Sequence, residues 1–269
     1  MAKKSLGQHF LTDPGILGRI ADALPARPGD RVLEIGPGRG GLTRVLLDRG
    51  YQVTAIERDR DLVPLLTDQL PALRLIHHDA LEVDWVDAVG AAQGEPWWVI
   101  GNIPYNITSP LIDRALEAVP APAAIVYLVQ KEVALRLGAE AGTEDYGALT
   151  VGTQAAARVE RLFRVPAGAF RPPPRVDSAV VRMTPRPAEE RVPDPARFRR
   201  FVVGLFASRR KQLTRGLRTA FGLDPAVAAA AIREAGLDPT QRPETLSVAE
   251  FRRLETVLVD GGQANTLAL

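Results

Sequence analysis

Between residues 31 and 137 the chain alternates short apolar runs with segments whose apolar positions recur at helical spacing. Arg31–Ile35, Gln52–Glu57, Leu73–His77, Trp97–Gly101 and Ala123–Val129 read as strands, being short, rich in β-branched and large apolar residues and bounded by turn residues. Gly40–Asp48, Asp61–Leu70, Ser109–Val119 and Lys131–Leu137 read as the helices between them. That rhythm predicts an α/β domain with a parallel sheet and crossover helices. Ahead of it, Asp13-Pro14 supplies a capping carboxylate and a first-turn proline, and Ile16, Leu17, Ile20 and Leu24 supply an apolar stripe, so a leading helix is predicted.

Two later runs, Leu149–Ala157 and Ser178–Met183, read as extended and flank the loop Phe170-Arg171-Pro172-Pro173-Pro174. Added as a hairpin, they bring the mostly parallel sheet to seven strands. Pro185, Pro187, Pro193 and Pro195 then read as a linker, followed by the helical segments Phe198–Ala207, Arg209–Phe221, Pro225–Ala235 and Val248–Val259. Ser247 with Glu250 three residues on is a capping box for the last of these. The expectation is a catalytic domain over 1–185, a small all-helical domain over 186–269, and a frayed end from Gly261 to Leu269.

A length of 269 residues suits one large domain with an appendage. The absence of cysteine and the presence of only His9, His77 and His78 remove thiol nucleophiles and thiolate zinc sites, so no metal is expected. His77 and His78 lack any partner pattern and read as structural. No apolar run approaches the roughly 18 residues of a membrane span. The basic start Met1–Ser5 lacks a signal-like apolar core, since Gln8, His9, Thr12 and Asp13 interrupt it; a cytoplasmic protein is expected. The net charge of +2 conceals an asymmetry: residues 186–269 hold 14 basic against 10 acidic groups, with eight basic and no acidic residues between Arg197 and Arg218. Such a density suits a polyanion, or a merely solvated face.

Gly36-Pro37-Gly38-Arg39-Gly40-Gly41 follows the first strand of the sheet and opens a helix, with Glu57 ending the next strand. This is the nucleotide-binding arrangement of Rossmann-like folds, in which glycines admit a ligand to the backbone and the acid meets ribose hydroxyls. It serves NAD and S-adenosylmethionine alike. Glu34, two residues before Gly36, favours a ligand with a cationic end, such as the methionine ammonium, over a pyrophosphate. His78-Asp79-Ala80, after the third strand, offers a carboxylate to an adenine amino group, or a cap for the turn at Leu81.

Gly101-Asn102-Ile103-Pro104-Tyr105-Asn106 follows the fourth strand. An adenine N6 lone pair is delocalised into its ring and becomes nucleophilic when both hydrogens are held out of plane. The Asn102 side-chain oxygen and the Ile103 carbonyl are suited to accept those hydrogens. Pro104 stiffens the turn, and Tyr105 offers a face to an extruded base. Methyl transfer then depends on positioning.

The chain resembles the bacterial small-subunit (16S) ribosomal RNA adenine N6-dimethyltransferase family over nearly its whole length. The motifs carrying the resemblance are Gly7-Gln8-His9-Phe10-Leu11, Glu34-Ile35-Gly36-Pro37-Gly38, Gly101–Asn106, Gln130-Lys131-Glu132-Val133, Phe170–Val181 and Arg209-Arg210-Lys211. The resemblance implies a class I methyltransferase fold, S-adenosylmethionine as cofactor, and dimethylation of two adjacent adenosines in a hairpin near the 3′ end of the small-subunit RNA, late in subunit assembly. It implies a monomer acting on the small subunit, away from membranes. It places Gln8, His9 and Leu11 at the methionine side, Gly36 and Gly38 in the loop, Glu57 on the ribose, and Asp79 with Ala80 at the cofactor adenine. Asn102 falls between cofactor and target, with Phe170 as a second stacking face. Arg209, Arg210, Lys211, Arg215 and Arg218 would contact RNA. The family usually has Asn where His9 stands and Leu where Ile103 stands. Alternatives are the related large-subunit enzyme of macrolide resistance, a non-catalytic assembly factor, and a dehydrogenase.

Overall fold

The computed structural model describes residues 9–91 and 94–267. The strands are β1 (Phe10–Leu11), β2 (Arg31–Ile35), β3 (Gln52–Glu57), β4 (Arg74–His77), β5 (Trp97–Asn102), β6 (Ala124–Gln130), β7 (Ala157–Val165), β8 (Phe170–Arg171) and β9 (Ser178–Pro185). Seven of them form one sheet in the order β4-β3-β2-β5-β6-β9-β7, while β1 and β8 pair separately as an antiparallel ladder. The first five strands of that order are parallel and β9 runs antiparallel to β6. The strand order turns at β2, where β3 lies on one side and β5 on the other, creating the crevice in which open α/β sheets bind ligands.

The crossover elements are α2 (Gly41–Asp48), α3 (Val63–Gln69), α4 (Trp85–Val89) and α5 (Thr108–Glu117). The leading helix, α1 (Pro14–Asp22), is capped by the Asp13 carboxylate, which accepts from the Ile16 N–H, and buries Leu17, Ile20 and Ala21. Those residues join Val32, Val53, Ile100 and Val126 from alternate strand positions in one apolar cluster. Burial of nearly every residue of β5 and β6 explains why these strands read as continuous apolar runs.

Two compact units emerge: 1–134 with 158–185, and 135–157 with 186–269. The chain passes from the first unit to the second after Pro185, and Leu135–Ala157 groups with the second unit. The reason is a corrected element. Leu149–Ala157 is not a strand; α7 (Ala148–Ala156) occupies it, after α6 (Lys131–Leu137). α7 buries Thr150, Val151, Thr153 and Ala155, a helical spacing that a short apolar run does not distinguish from a strand. The seventh strand is instead β7, whose four charged residues, Arg158, Glu160, Arg161 and Arg164, mark a solvated edge.

The second unit is helical: α8 (Pro195–Phe206), α9 (Leu213–Phe221), α10 (Pro225–Glu234), α11 (Val248–Leu258) and α12 (Ala264–Leu267) join α7 around Phe198, Phe201, Leu205, Phe251 and Leu254. The Tyr146 phenol donates to the Leu246 carbonyl at 2.7 Å, and the Arg197 guanidinium meets the buried Glu255 carboxylate at 2.6 Å. Contrary to the expected frayed end, the stretch from Gly261 to Leu267 ends on Leu267, which is fully buried in this core; Ala268 and Leu269 lie outside the described residues. Among the described residues, no helix is long and apolar enough to cross a membrane.

Candidate active site

The C-terminal ends of β2, β3 and β5, and the turn after β4, open into one cavity of about 490 Å³, closed on another side by His9–Thr12. His9, Leu11, Glu34, Gly36, Gly38, Glu57, Asp79, Ala80 and Asn102 all line it, as do Ile103, Pro104 and Tyr105. Gln8 lies outside the described residues. Phe10, Arg39, Arg58 and His78 also line the cavity and were not anticipated; His78 is therefore at the site, while His77 is in β4.

Gly36, Gly38 and Gly40 have φ of 69°, 58° and 77°, the left-handed region that disfavours every other residue. The Gly36 N–H donates to the Ile56 carbonyl at 3.0 Å, and the Gly38 N–H donates to Glu57 Oε2 at 3.2 Å. Glu57 Oε1 accepts from the Asp59 N–H at 2.7 Å, so one buried carboxylate braces both the glycine loop and the turn after β3. Burial raises the Glu57 pKa, and those two N–H donors oppose the rise.

Glu34 is 1% exposed, and its Oε2 has no hydrogen-bond partner among the described residues. Burial pushes its pKa from 4.5 up to about 8; the Thr43 hydroxyl beside it acts downward without forming a well-directed bond, and the Glu57 charge acts upward. A buried carboxyl group with one unpartnered oxygen at a cavity wall is suited to ionise against a ligand cation, and offers no such gain to a pyrophosphate. These residues fit S-adenosylmethionine.

Asp79 does two things. Its Oδ1 accepts from the Leu81 N–H at 3.0 Å, the turn-capping role, and its Oδ2 pairs with Arg58 at 3.0 Å. It still lines the cavity.

Asn102 ends β5, and its Nδ2 donates to the His9 carbonyl at 2.9 Å. A carbonyl only accepts, so this bond fixes the amide orientation and leaves Oδ1 as an acceptor directed elsewhere. The following turn is pinned by the Ile103 N–H on the Leu128 carbonyl and by the Thr108 hydroxyl on the Pro104 carbonyl. The Tyr105 phenol bonds the Ser178 hydroxyl at 3.0 Å, and the Tyr105 ring stacks against that of His9 with centroids 5.9 Å apart. His9 Nδ1 lies 2.9 Å from the Pro172 carbonyl, so it carries the proton there. Beside it, Phe10 pairs with Arg171 and Leu11 with Phe170, tying the arm to the proline-rich loop.

Phe170 departs from expectation. It is fully buried with Val165 and Val180 in the core and does not line the cavity, because β8 turns its ring inward as it pairs with β1; it offers no stacking face. The basic segment also differs. α9 starts at Leu213, so Lys211 lies in the preceding turn and not on one helix face with Arg215 and Arg218. The buried face of α9 is made by Leu213, Gly216 and Leu217, while Ala220 is exposed. Arg209 is paired with Glu244 at 2.9 Å, whereas Arg210, Lys211, Arg215 and Arg218 are exposed.

Ribosomal RNA small subunit methyltransferase A of Xanthomonas campestris pv. campestris (strain B100) is 46% identical over 260 residues, covering 95% of this chain and 96% of that protein. The protein of the same name from Anaeromyxobacter sp. (strain K) is 45% identical over 265 residues, covering 96% and 93%. Among solved structures, the 23S rRNA methyltransferase ErmE is 32% identical with a TM-score of 0.68, covering 93% of this chain and 99% of its own. A dimethyladenosine transferase from Plasmodium falciparum, 24% identical with a TM-score of 0.81 over 94% and 98%, shares the fold. The model of the family described as ribosomal RNA adenine dimethylase matches residues 1–260, and the chain belongs to that family.

Proposed function

We propose that this chain, as a monomer, uses S-adenosylmethionine to dimethylate N6 of two adjacent adenosines in a hairpin near the 3′ end of small-subunit ribosomal RNA, late in subunit assembly. The observation that carries the chemistry is the orientation of the Asn102 amide, whose Nδ2 is committed to the His9 carbonyl and whose Oδ1 is left to accept. S-adenosylmethionine supplies an electrophilic sulfonium methyl group. Asn102 Oδ1 and the Ile103 carbonyl accept the two N6 hydrogens and hold the lone pair out of the ring plane, while Tyr105 supplies a stacking face. Glu34 faces the cofactor's ammonium, Glu57 the ribose hydroxyls and Asp79 the adenine amino group. The small-subunit substrate is favoured over the large because relatives named for the small subunit are 45–46% identical, against 32% for ErmE. Incubating undermethylated small subunits, large subunits and free RNA with labelled cofactor, then mapping the methylated nucleotide, tests the reading. Label confined to the large subunit would overturn it.

The raised pKa of Glu34 has a signed consequence. In the ligand-free protein this group contributes stability below about pH 4.5, and the contribution falls as pH rises through about 8. The ammonium selects the ionised form, so cofactor affinity is expected to rise with pH up to about 8. Binding at neutral pH then releases nearly one proton. Calorimetry in buffers of different ionisation enthalpy checks this: a heat independent of buffer at pH 7 contradicts it, and Glu34→Gln should abolish the dependence.

For the basic segment, replacing Lys211, Arg215 and Arg218 together with alanine is expected to weaken binding to small subunits. It should also flatten the salt dependence by up to about 0.7–0.9 logarithmic units per lost phosphate contact. Cofactor affinity should not change, since the cavity belongs to the first unit. Parallel salt titrations with equal affinities would remove RNA binding from this segment.

A further inference from the structure

The Ser178 hydroxyl is fully buried at the start of β9, where Ser178 opposes Gln130 of β6. It heads the otherwise apolar run Ala179-Val180-Val181, and its partner is the Tyr105 phenol at 3.0 Å, 73 residues away in sequence. A buried hydroxyl is costly without a partner, so the pairing satisfies both groups. The start of the strand is anchored independently: the Lys131 N–H donates to the Asp177 carbonyl, and the Asp177 carboxylate accepts from the Ala167 N–H at 3.0 Å and from Arg164 Nε at 2.8 Å. Packing at position 178 asks for a small side chain; the oxygen answers to Tyr105.

Tyr105 is half-buried, and its backbone is fixed by the short turn Tyr105–Ile107. Its ring also stacks against that of His9, a contact that leaves freedom about the side-chain torsions. The bond from Ser178 adds a second fixed point, at the far end of the ring. We infer that Ser178 is a positioning residue for the methyl transfer, setting the plane of the Tyr105 ring against which the target adenine stacks. The inference rests on the reading of Tyr105 as the stacking face.

The test uses the full chain, labelled S-adenosylmethionine and undermethylated small subunits. Ser178→Ala and Tyr105→Phe are each expected to raise the KM for the subunit by about 3- to 10-fold. The dissociation constant for S-adenosylhomocysteine and the melting temperature should stay near those of the wild type, since a general loosening of the sheet would move both. The double variant should be no worse than either single one, because both changes remove the same bond. Tyr105→Phe leaves β9 untouched and keeps the test valid if Ser178→Ala folds poorly. A normal KM in Tyr105→Phe, or additive defects in the double variant, would overturn the inference. Tyr105→Ala separates the two levels. If it too has a normal KM, the stacking reading itself fails; if it is impaired while Tyr105→Phe and Ser178→Ala are normal, only the role of Ser178 fails.

Discussion

Asn102→Ala is expected to lower methyl transfer by about 100- to 1000-fold at saturating substrates, the usual cost of deleting one preorganised polar group from a reacting centre. Two effects combine. The side-chain oxygen that accepts an N6 hydrogen is gone, and the His9 carbonyl loses its donor at 2.9 Å. The sheet should survive, since β5 is held by its backbone pairing with β2 and β6, and Asn102 contributes no apolar bulk. Single-turnover rates and unfolding curves measured together check both halves. Turnover within about tenfold of wild type would dismiss the acceptor role. Asn102→Asp separates the two effects: aspartate keeps an acceptor but turns a carboxylate oxygen toward the His9 carbonyl, so strong impairment is expected there as well.

Gly101→Ala is expected to damage the fold and the site at once. A Cβ at this position would stand 2.6 Å from the Ile35 backbone oxygen and 2.9 Å from Ile103 Cδ1. The first contact is with main chain and cannot be relieved by turning a side chain, so β5 must move away from β2 at the register pair Ile35–Gly101. Overpacking of this kind costs about 1–3 kcal/mol. The displacement also shifts Asn102 relative to Gly36, where an added Cβ would lie 4.0 Å from the Asn102 backbone oxygen. Urea unfolding should show the loss of stability, and the dissociation constant for S-adenosylhomocysteine should rise. A variant of native stability and affinity would mean that β2 and β5 part without cost.

The central alternation from Arg31 to Leu137 was legible because buried parallel strands concentrate β-branched residues between turn signals. The glycine loop and the Asn-Ile-Pro-Tyr turn were legible because their chemistry is local to a few consecutive residues. Features that depend on distant partners were not. α7 reads as a strand until the core around Tyr146 and Phe251 shows which spacing is used. β1 and β8 span two residues each, too short for any periodicity, yet their pairing turns Phe170 inward and brings Pro172 to His9. Arg58 beside Asp79 and Ser178 beside Tyr105 are meetings across the fold that no spacing announces. At Lys211 the charge pattern was visible, but the start of α9 at Leu213 was not.

The order in which the chain leaves the ribosome has a bearing on its folding. Residues 135–157 emerge with the first unit but belong to the second, and Tyr146 waits exactly 100 residues for the Leu246 carbonyl. Until α8 and α11 arrive, Val151 and Ala155 of α7 have no apolar cover from the core they will join. A nascent chain ending near Pro185 therefore displays a greasy helix during synthesis, a window in which chaperone capture or aggregation competes with folding. For the same reason a stop at Pro185 is a poor way to isolate the cofactor unit, whereas a cut that also removes 135–157 would need a new connection from Ala134 to Arg158.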